Sequence, residues 1–280
     1  MTPASATQVT VHWSPNEPVP DLRHAHLWLC DLDDRRWVSA ADESLLSAAE
    51  HARAERLRTL ELRRRFVARC VFVRRVLGGL LGVAPSKLEY RVGAFGKPEL
   101  AHDIDAGLES KPLPRFNLSH SDNVLAVAVA FHKEVGVDVE RVKTGLDFLG
   151  LGEGQLGAEE IARLRSLSEQ ERALAFYRSW TRHEAIAKAT GRGIASRPSN
   201  QDRNDSLALT PHLAISRLSE QRLSPWTWPR NEHKIPGACG DQPPAAEYAF
   251  ECSLGGVFAI GSLALCFSNQ PASALETALG

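Results

Sequence analysis

Apolar and polar positions alternate along several short stretches and recur at helical spacing along others, and this contrast predicts most of the elements. His26 to Leu32 (HLWLCDL) alternates and reads as the first strand. Asp42-Glu43 opens a helical stretch, and a longer helix follows from about Leu62 to Leu81. In that helix Phe66, Cys70, Val73, Leu77 and Leu80 keep the 4-3-4-3 spacing of a buried stripe, while Arg65 and Arg69 share another face. Gly82 and Pro85 end it. Leu88–Val92 reads as a strand, followed by an FGKP turn and a polar loop over 101–114. Phe116–Leu118 and Val124–Phe131 are strands, and the second is expected to pair with Val135–Glu140 across a His132-Lys133-Glu134 turn. The glycine-rich stretch 143–157 reads as a loop, followed by helices over Ala158–Ser166 and Glu169–Thr190. Glu247–Leu254 and Val257–Phe267 predict a hairpin across Gly255-Gly256. Residues 1–23, with Pro3, Pro15, Pro18 and Pro20, read as an irregular leader; 195–205 and 223–245 read as exposed connections.

Composition changes this picture little. At 280 residues, 43% hydrophobic and 24% charged, the chain can bury a large core. A net charge of −1 argues against wholesale nucleic-acid binding, which needs a concentrated basic surface. The charge is uneven, however: residues 51–75 hold nine arginines against Glu55 and Glu61 alone. Five cysteines (30, 70, 239, 252 and 266) without C-x-x-C pairs predict neither a zinc site nor a disulfide framework, and a reducing compartment is the default. The N-terminus has no basic segment followed by an apolar one. The apolar run Leu254–Phe267, 14 residues with three glycines, is too short to span a bilayer. A soluble cytoplasmic protein is expected, with no membrane partner.

Two acidic clusters carry the candidate chemistry. In VGVDVERV (135–142), Val135, Val137 and Val139 alternate with Gly136, Asp138 and Glu140, which puts both carboxylates on one strand face. In SWTRHEAIAKATGRGI (179–194), Trp180, Glu184 and Lys188 recur every four residues on one helix face. Three carboxylates and a nearby lysine suit a Mg²⁺ ion, which takes few protein oxygens when substrate phosphates fill its other positions. Taken singly, Asp138 and Glu140 also fit an exposed strand face, and Glu184 with Lys188 an ordinary surface pair stabilising a helix by roughly 0.3–0.5 kcal/mol.

Together with FGKPEL (95–100) and FNLSHSDNVLAVAVA (116–130), these clusters resemble the Sfp-type 4′-phosphopantetheinyl transferases. Four motifs match in order over roughly Ser47 to Ile194: the G-K-P turn, the N-L-S-H-S strand end, the G-V-D-V-E strand and the W-x-x-x-E-A-x-x-K-x-x-G-x-G helix. The resemblance implies an α+β fold of two pseudo-related subdomains, 1–132 and 133–280, each a small antiparallel sheet packed on a long helix, with the coenzyme in the cleft between them. It implies Mg²⁺-dependent transfer of the phosphopantetheine arm of coenzyme A to a serine of an apo acyl or peptidyl carrier protein, with release of adenosine 3′,5′-bisphosphate. It implies a monomer. It also implies Asp138, Glu140 and Glu184 as metal ligands, with Glu184 a ligand or the base and Asp138, Glu184 and Lys188 catalytic. The coenzyme would be held by Arg65, Gly96, Lys97, Pro98, Ser119, His120 and Lys188, Arg65 being directed at the 3′-phosphate; Arg64 and Arg69 are weaker candidates.

Attack on the β-phosphorus of coenzyme A needs the anionic pyrophosphate neutralised and the serine hydroxyl activated, tasks suited to cations and to a carboxylate within hydrogen-bond reach. Alternatives stand beside the implied roles. Lys97 fits a solvated turn lysine, and His120 fits a structural hydrogen-bonding residue. His183 departs from the family pattern, which has lysine there; an unperturbed histidine is mostly neutral at pH 7, so any phosphate contact there is weaker or pH-dependent. Other readings are a different coenzyme A-using transferase, against which no G-x-S-x-G elbow is present, and a non-catalytic coenzyme A or carrier-binding module.

Overall fold

A computed structural model describes residues 9–19, 22, 24–93, 97–101, 113–131, 133–190, 212–214, 246–254 and 257–267. Gly96, most of the 101–114 loop, His132, the GRGI end of the second motif, the connections 195–205 and 223–245, and the Gly255-Gly256 turn lie outside the described residues.

Strands β1 (Val9–His12), β2 (Ala25–Asp31), β5 (Arg115–Ser121) and β6 (Val124–Ala130) form one sheet in the order β1-β2-β6-β5. Strands β7 (Lys133–Arg141), β8 (His212–Ala214), β9 (Ala246–Leu254) and β10 (Val257–Phe267) form a second in the order β7-β10-β9-β8. A two-stranded ribbon, β3 (Tyr90–Val92) with β4 (Pro98–Leu100), stands apart. The helices are α1 (Ala48–Glu55), α2 (Leu60–Leu81), α3 (Phe148–Gly152), α4 (Ala158–Ser166) and α5 (Glu169–Thr190). The class is α+β. Each large sheet is antiparallel except at one edge, where β1–β2 and β8–β9 run parallel.

Period-2 alternation explains the layering. Leu27 and Leu29 of β2 and Ala126 and Ala128 of β6 meet Val135, Val137 and Val139 of β7 and Leu263 and Leu265 of β10 in one buried cluster between the sheets. The opposite face of the first sheet (Trp28, Cys30, Leu125, Val127, Val129) packs on Phe72, Val73, Val76 and Leu77 of α2. The opposite face of the second packs on α5, where Ala185 and Ala189 meet Ala264. The α2 helix starts at the Thr59 cap, whose side chain accepts from Leu62 N–H, and stops at Gly82, whose φ of 70° few other residues tolerate. Its apolar surface is broader than one stripe, because Phe66, Val67, Cys70 and Val71 also pack against Leu46 and Ala54. Arg74 is buried there, donating to Glu50 and to the Pro85 and Leu88 carbonyls.

Three sequence-based expectations are corrected. Residues 9–12 are not irregular leader: alternating Val9 and Val11 pack on the inter-sheet core, and Pro15 and Pro18 follow the strand instead of interrupting it. The stretch 143–157 is not wholly loop, since Asp147 caps α3 by accepting from Gly150 N–H at 3.0 Å and Phe148 is buried against Phe176 and Tyr177. The strand over 124–131 does not pair with that over 135–140. Both edges of β6 are taken, by β2 and β5, so β7 starts the other sheet and pairs with β10, Val137 opposite Leu263. Apolar on both faces, β6 is buried throughout, as a central strand must be.

Candidate functional site

Gly136, Asp138 and Glu140 share the face of β7 that looks toward α5. A Cβ at Gly136 would lie 2.0 Å from the Ala185 carbonyl oxygen and 2.3 Å from Ala189 N, so only glycine lets the helix sit this close. That approach sets Lys188 against Asp138, Nζ to Oδ1 2.6 Å. The same Oδ1 accepts from Ser119 Oγ at 2.7 Å. Asp138 is 3% exposed, and its Oδ2, buried, has no partner among the described residues. Glu140 accepts from Ser121 Oγ at 2.8 Å. Glu184 lies one turn before Lys188 on α5.

All three carboxyls titrate above the ordinary range. For Asp138 burial outweighs the attraction of Lys188 and the hydrogen bonds it receives. For Glu140 burial outweighs the Ser121 bond. For Glu184 burial acts first, and the negative fields of Asp138 and Glu140 add to it. A partly buried, like-charged cluster in which one oxygen has no partner among the described residues is a place where a cation is stabilised.

The edge of β7 away from β10 lies beside β5 without a backbone ladder among the described residues, and side chains bind its backbone groups. Lys97 Nζ donates to the Val135 carbonyl at 3.1 Å, Asn117 Oδ1 accepts from Val137 N–H at 2.9 Å, and Lys188 Nζ donates to the Val137 carbonyl at 3.2 Å. Lys97 also meets Glu134 Oε2 at 3.1 Å and the Lys188 carbonyl at 3.4 Å. Lys97, Ser119 and Lys188 therefore gather along the strand that carries Asp138 and Glu140. Pro98 follows Lys97 in β4.

Two further candidates lie elsewhere. Arg65 is bidentate to Asp33, at 2.8 and 2.6 Å, and pairs with Glu61 at 2.7 Å and Asp122 at 3.7 Å. Asp122, at the tip of the β5–β6 turn, also accepts from Arg141 at the end of β7. His120, exposed on β5, titrates below the usual imidazole range because of partial desolvation and then the Arg69, Lys188 and Arg53 charges. His183 Nδ1 lies 2.7 Å from the Ser179 carbonyl, a geometry in which Nδ1 carries the proton and donates.

Sequence reasoning missed Asn117 and Ser121. The signal was present, since N-x-S-x-S at period 2 puts both beside Ser119 on one strand face. It also missed that Arg53 and Arg69 flank the Phe66 ring near His120.

Among the described residues no three His, Cys, Asp or Glu side chains form a ready-made metal cage. The donor set nonetheless fits a hard cation that arrives with part of its ligand sphere: the oxygens are carboxylate, and one of them is buried with no partner among the described residues. Among the described residues no helix is long and apolar enough to cross a membrane.

A family model described as the 4′-phosphopantetheinyl transferase superfamily matches residues 134–246. The chain is 38% identical over 185 residues to the 4′-phosphopantetheinyl transferase HetI of Nostoc sp., covering 65% of this chain and 76% of that protein. It is 32% identical over 208 residues to the putative 4′-phosphopantetheinyl transferase slr0495 of Synechocystis sp., covering 72% and 81%. To the 4′-phosphopantetheinyl transferase psf-1 of Bacillus pumilus it is 27% identical over 225 residues, covering 78% and 89%. On this footing the chain belongs to the 4′-phosphopantetheinyl transferase superfamily, enzymes that transfer phosphopantetheine from coenzyme A to carrier proteins.

Proposed function

We propose that this chain carries out Mg²⁺-dependent transfer of the 4′-phosphopantetheine arm of coenzyme A to a serine of an apo acyl or peptidyl carrier protein, releasing adenosine 3′,5′-bisphosphate. The observation that carries the reading is the buried Oδ2 of Asp138, without a partner among the described residues, beside Glu140 and Glu184. Asp138, Glu140 and Glu184 would hold the ion. When bound, Mg²⁺ offsets the pyrophosphate charge that otherwise repels a nucleophile.

The remaining steps belong to the chain's own residues. Lys188 holds Asp138 in place and adds positive charge where negative charge grows. Glu184, whose raised pKa brings it nearer the working range of a general base, takes the carrier serine proton directly or through one water. The serine oxygen forms a bond to the β-phosphorus; the bond from that phosphorus to the bridging oxygen breaks, and adenosine 3′,5′-bisphosphate leaves. Gly96, Lys97, Pro98, Ser119, His120 and Arg65 bind the coenzyme, and for Arg65 this requires exchanging Asp33 for a phosphate. Residues 1–132 and 133–280 act as two halves of one monomer, in the cytoplasm, where the buried free thiols of Cys30 and Cys70 remain reduced.

Mass spectrometry of an apo carrier incubated with the protein, coenzyme A and Mg²⁺ tests this reading. The expected product carries the phosphopantetheine arm and appears only with the metal. An acyl adduct would assign a different coenzyme A transferase, and an unchanged carrier, tried across fatty-acid, polyketide and peptide synthetase carriers, would leave a binding module.

A further inference from the structure

Three side chains of β5 at two-residue spacing are spent on β7, a strand of the other sheet. Asn117 fixes the Val137 backbone, Ser119 Oγ donates to Asp138 Oδ1 at 2.7 Å, and Ser121 Oγ donates to Glu140 Oε2 at 2.8 Å. Asp138 has a second anchor in Lys188 and is almost wholly buried, so its carboxylate is fixed from two directions. Glu140 is longer by one rotatable bond, sits nearer the end of β7 and is only partly buried. Its hydrogen bond from Ser121 crosses between the sheets, where the backbones of β5 and β7 are not laddered together.

We propose that Ser121 is a positioning residue for Glu140, fixing that carboxylate for the divalent cation by engaging Oε2. The inference rests on the reading of Asp138, Glu140 and Glu184 as the cation-holding set. A hydroxyl suits the task better than a cation would. It donates one hydrogen bond and restricts the carboxylate without cancelling its charge, so the attraction for a divalent ion is kept. Hydrogen-bonding partners behind metal-binding side chains commonly contribute about 10–100-fold in metal affinity. Ser119 and Ser121 apply one device to two carboxylates: β5 supplies a row of hydroxyls, and β7 supplies the charges they orient.

The test is direct titration of the full-length protein with Mn²⁺ as a paramagnetic stand-in for Mg²⁺, in the presence of coenzyme A, reading free ion by electron paramagnetic resonance. Ser121→Ala is expected to weaken Mn²⁺ binding about tenfold, with Ser121→Thr restoring most of it and thermal unfolding of both variants close to the parent. The Mg²⁺ concentration giving half-maximal transfer should rise in parallel, while kcat at saturating Mg²⁺ changes far less. In the Glu140→Gln background, Ser121→Ala should cost nothing further. Unchanged Mn²⁺ affinity in Ser121→Ala, or an equal further loss in the Glu140→Gln background, overturns the positioning role. Should the parent protein bind no Mn²⁺ beyond coenzyme A alone, the cation reading itself falls, and the role of Ser121 with it.

Discussion

Asp138 combines burial with an incomplete set of partners: one oxygen is held twice and the other has no partner among the described residues. Its substitutions should therefore separate chemistry from folding. Asp138→Asn keeps the shape and an acceptor for Ser119, and is expected to abolish carrier modification while leaving urea unfolding near the parent midpoint. Asp138→Ala should abolish transfer too, but it strips the acceptor from Lys188 and Ser119 inside the protein, at about 1–3 kcal/mol of stability. The same urea measurement shows the difference. From sequence alone this side chain reads as an exposed cleft carboxylate whose loss is harmless to the fold. Alternation places it on a strand face, but depth depends on how near α5 comes, and that follows from Gly136, Ala185 and Ala189 together. Ser121 escaped notice for a related reason, since its value lies in a carboxylate nineteen residues away on another sheet.

At the scale of elements, the docking of α5 on β7 is the critical contact. Gly136→Ala would drive a methyl group into the Ala185 carbonyl, and neither backbone can yield without moving the other. A loss of roughly 1–3 kcal/mol in urea unfolding is expected, with transfer falling further because Lys188 and Glu184 retreat from Asp138. The β1–β2 edge offers a second test. His12 Nε2 lies 3.0 Å from His26 Nδ1, and its ring stacks on Trp28. Burial lowers the His12 pKa, only partly opposed by Glu17 at 3.4 Å. A lowered pKa means that the unfolded chain binds the proton more readily than the folded one. The stability contribution of neutral His12 is thus complete above about pH 6.5 and is lost as pH falls below that value toward its folded pKa. Urea unfolding at pH 7.5 and 5.5 should show a smaller drop for His12→Gln than for the parent. Helices α4 and α5 were legible to the residue, α4 from its helical period and α5 from period together with the reciprocal Ser168–Glu171 cap. The strand β1 was not, because nearby prolines outweighed a four-residue alternation. Nor was the break between β6 and β7, because a short turn between two valine-rich runs looks the same whether the strands pair or part.

For the whole molecule, the arrangement is helix, sheet, sheet, helix, with the candidate residues where β5 and β7 meet along their edges. The arginine-rich stretch 51–75 divides between roles that composition cannot distinguish. Arg74 is core, and Arg75 holds the Trp37 carbonyl and Asp42. Arg56 and Arg58 are exposed. If an acidic carrier is steered by this surface, Arg56→Glu with Arg58→Glu should raise the KM for carrier several-fold and leave that for coenzyme A nearly unchanged. The effect should vanish as salt approaches 1 M, where the screening length is about 3 Å. A carrier KM indifferent to both changes would assign docking to apolar contacts instead.

The side-chain closure of β7 carries a consequence for how the lysines can be studied. A strand paired on one side only is a template on which another chain can add a strand. Here β5 already lies along that edge, and Lys97, Asn117 and Lys188 bind three of its outward backbone groups, so the template is covered. Replacing either lysine to probe phosphate binding also leaves one β7 carbonyl without its donor, Val135 for Lys97 and Val137 for Lys188. A loss of about 1–3 kcal/mol in urea unfolding is therefore expected of Lys97→Ala and Lys188→Ala, and it has to be measured before any loss of coenzyme affinity can be read from them.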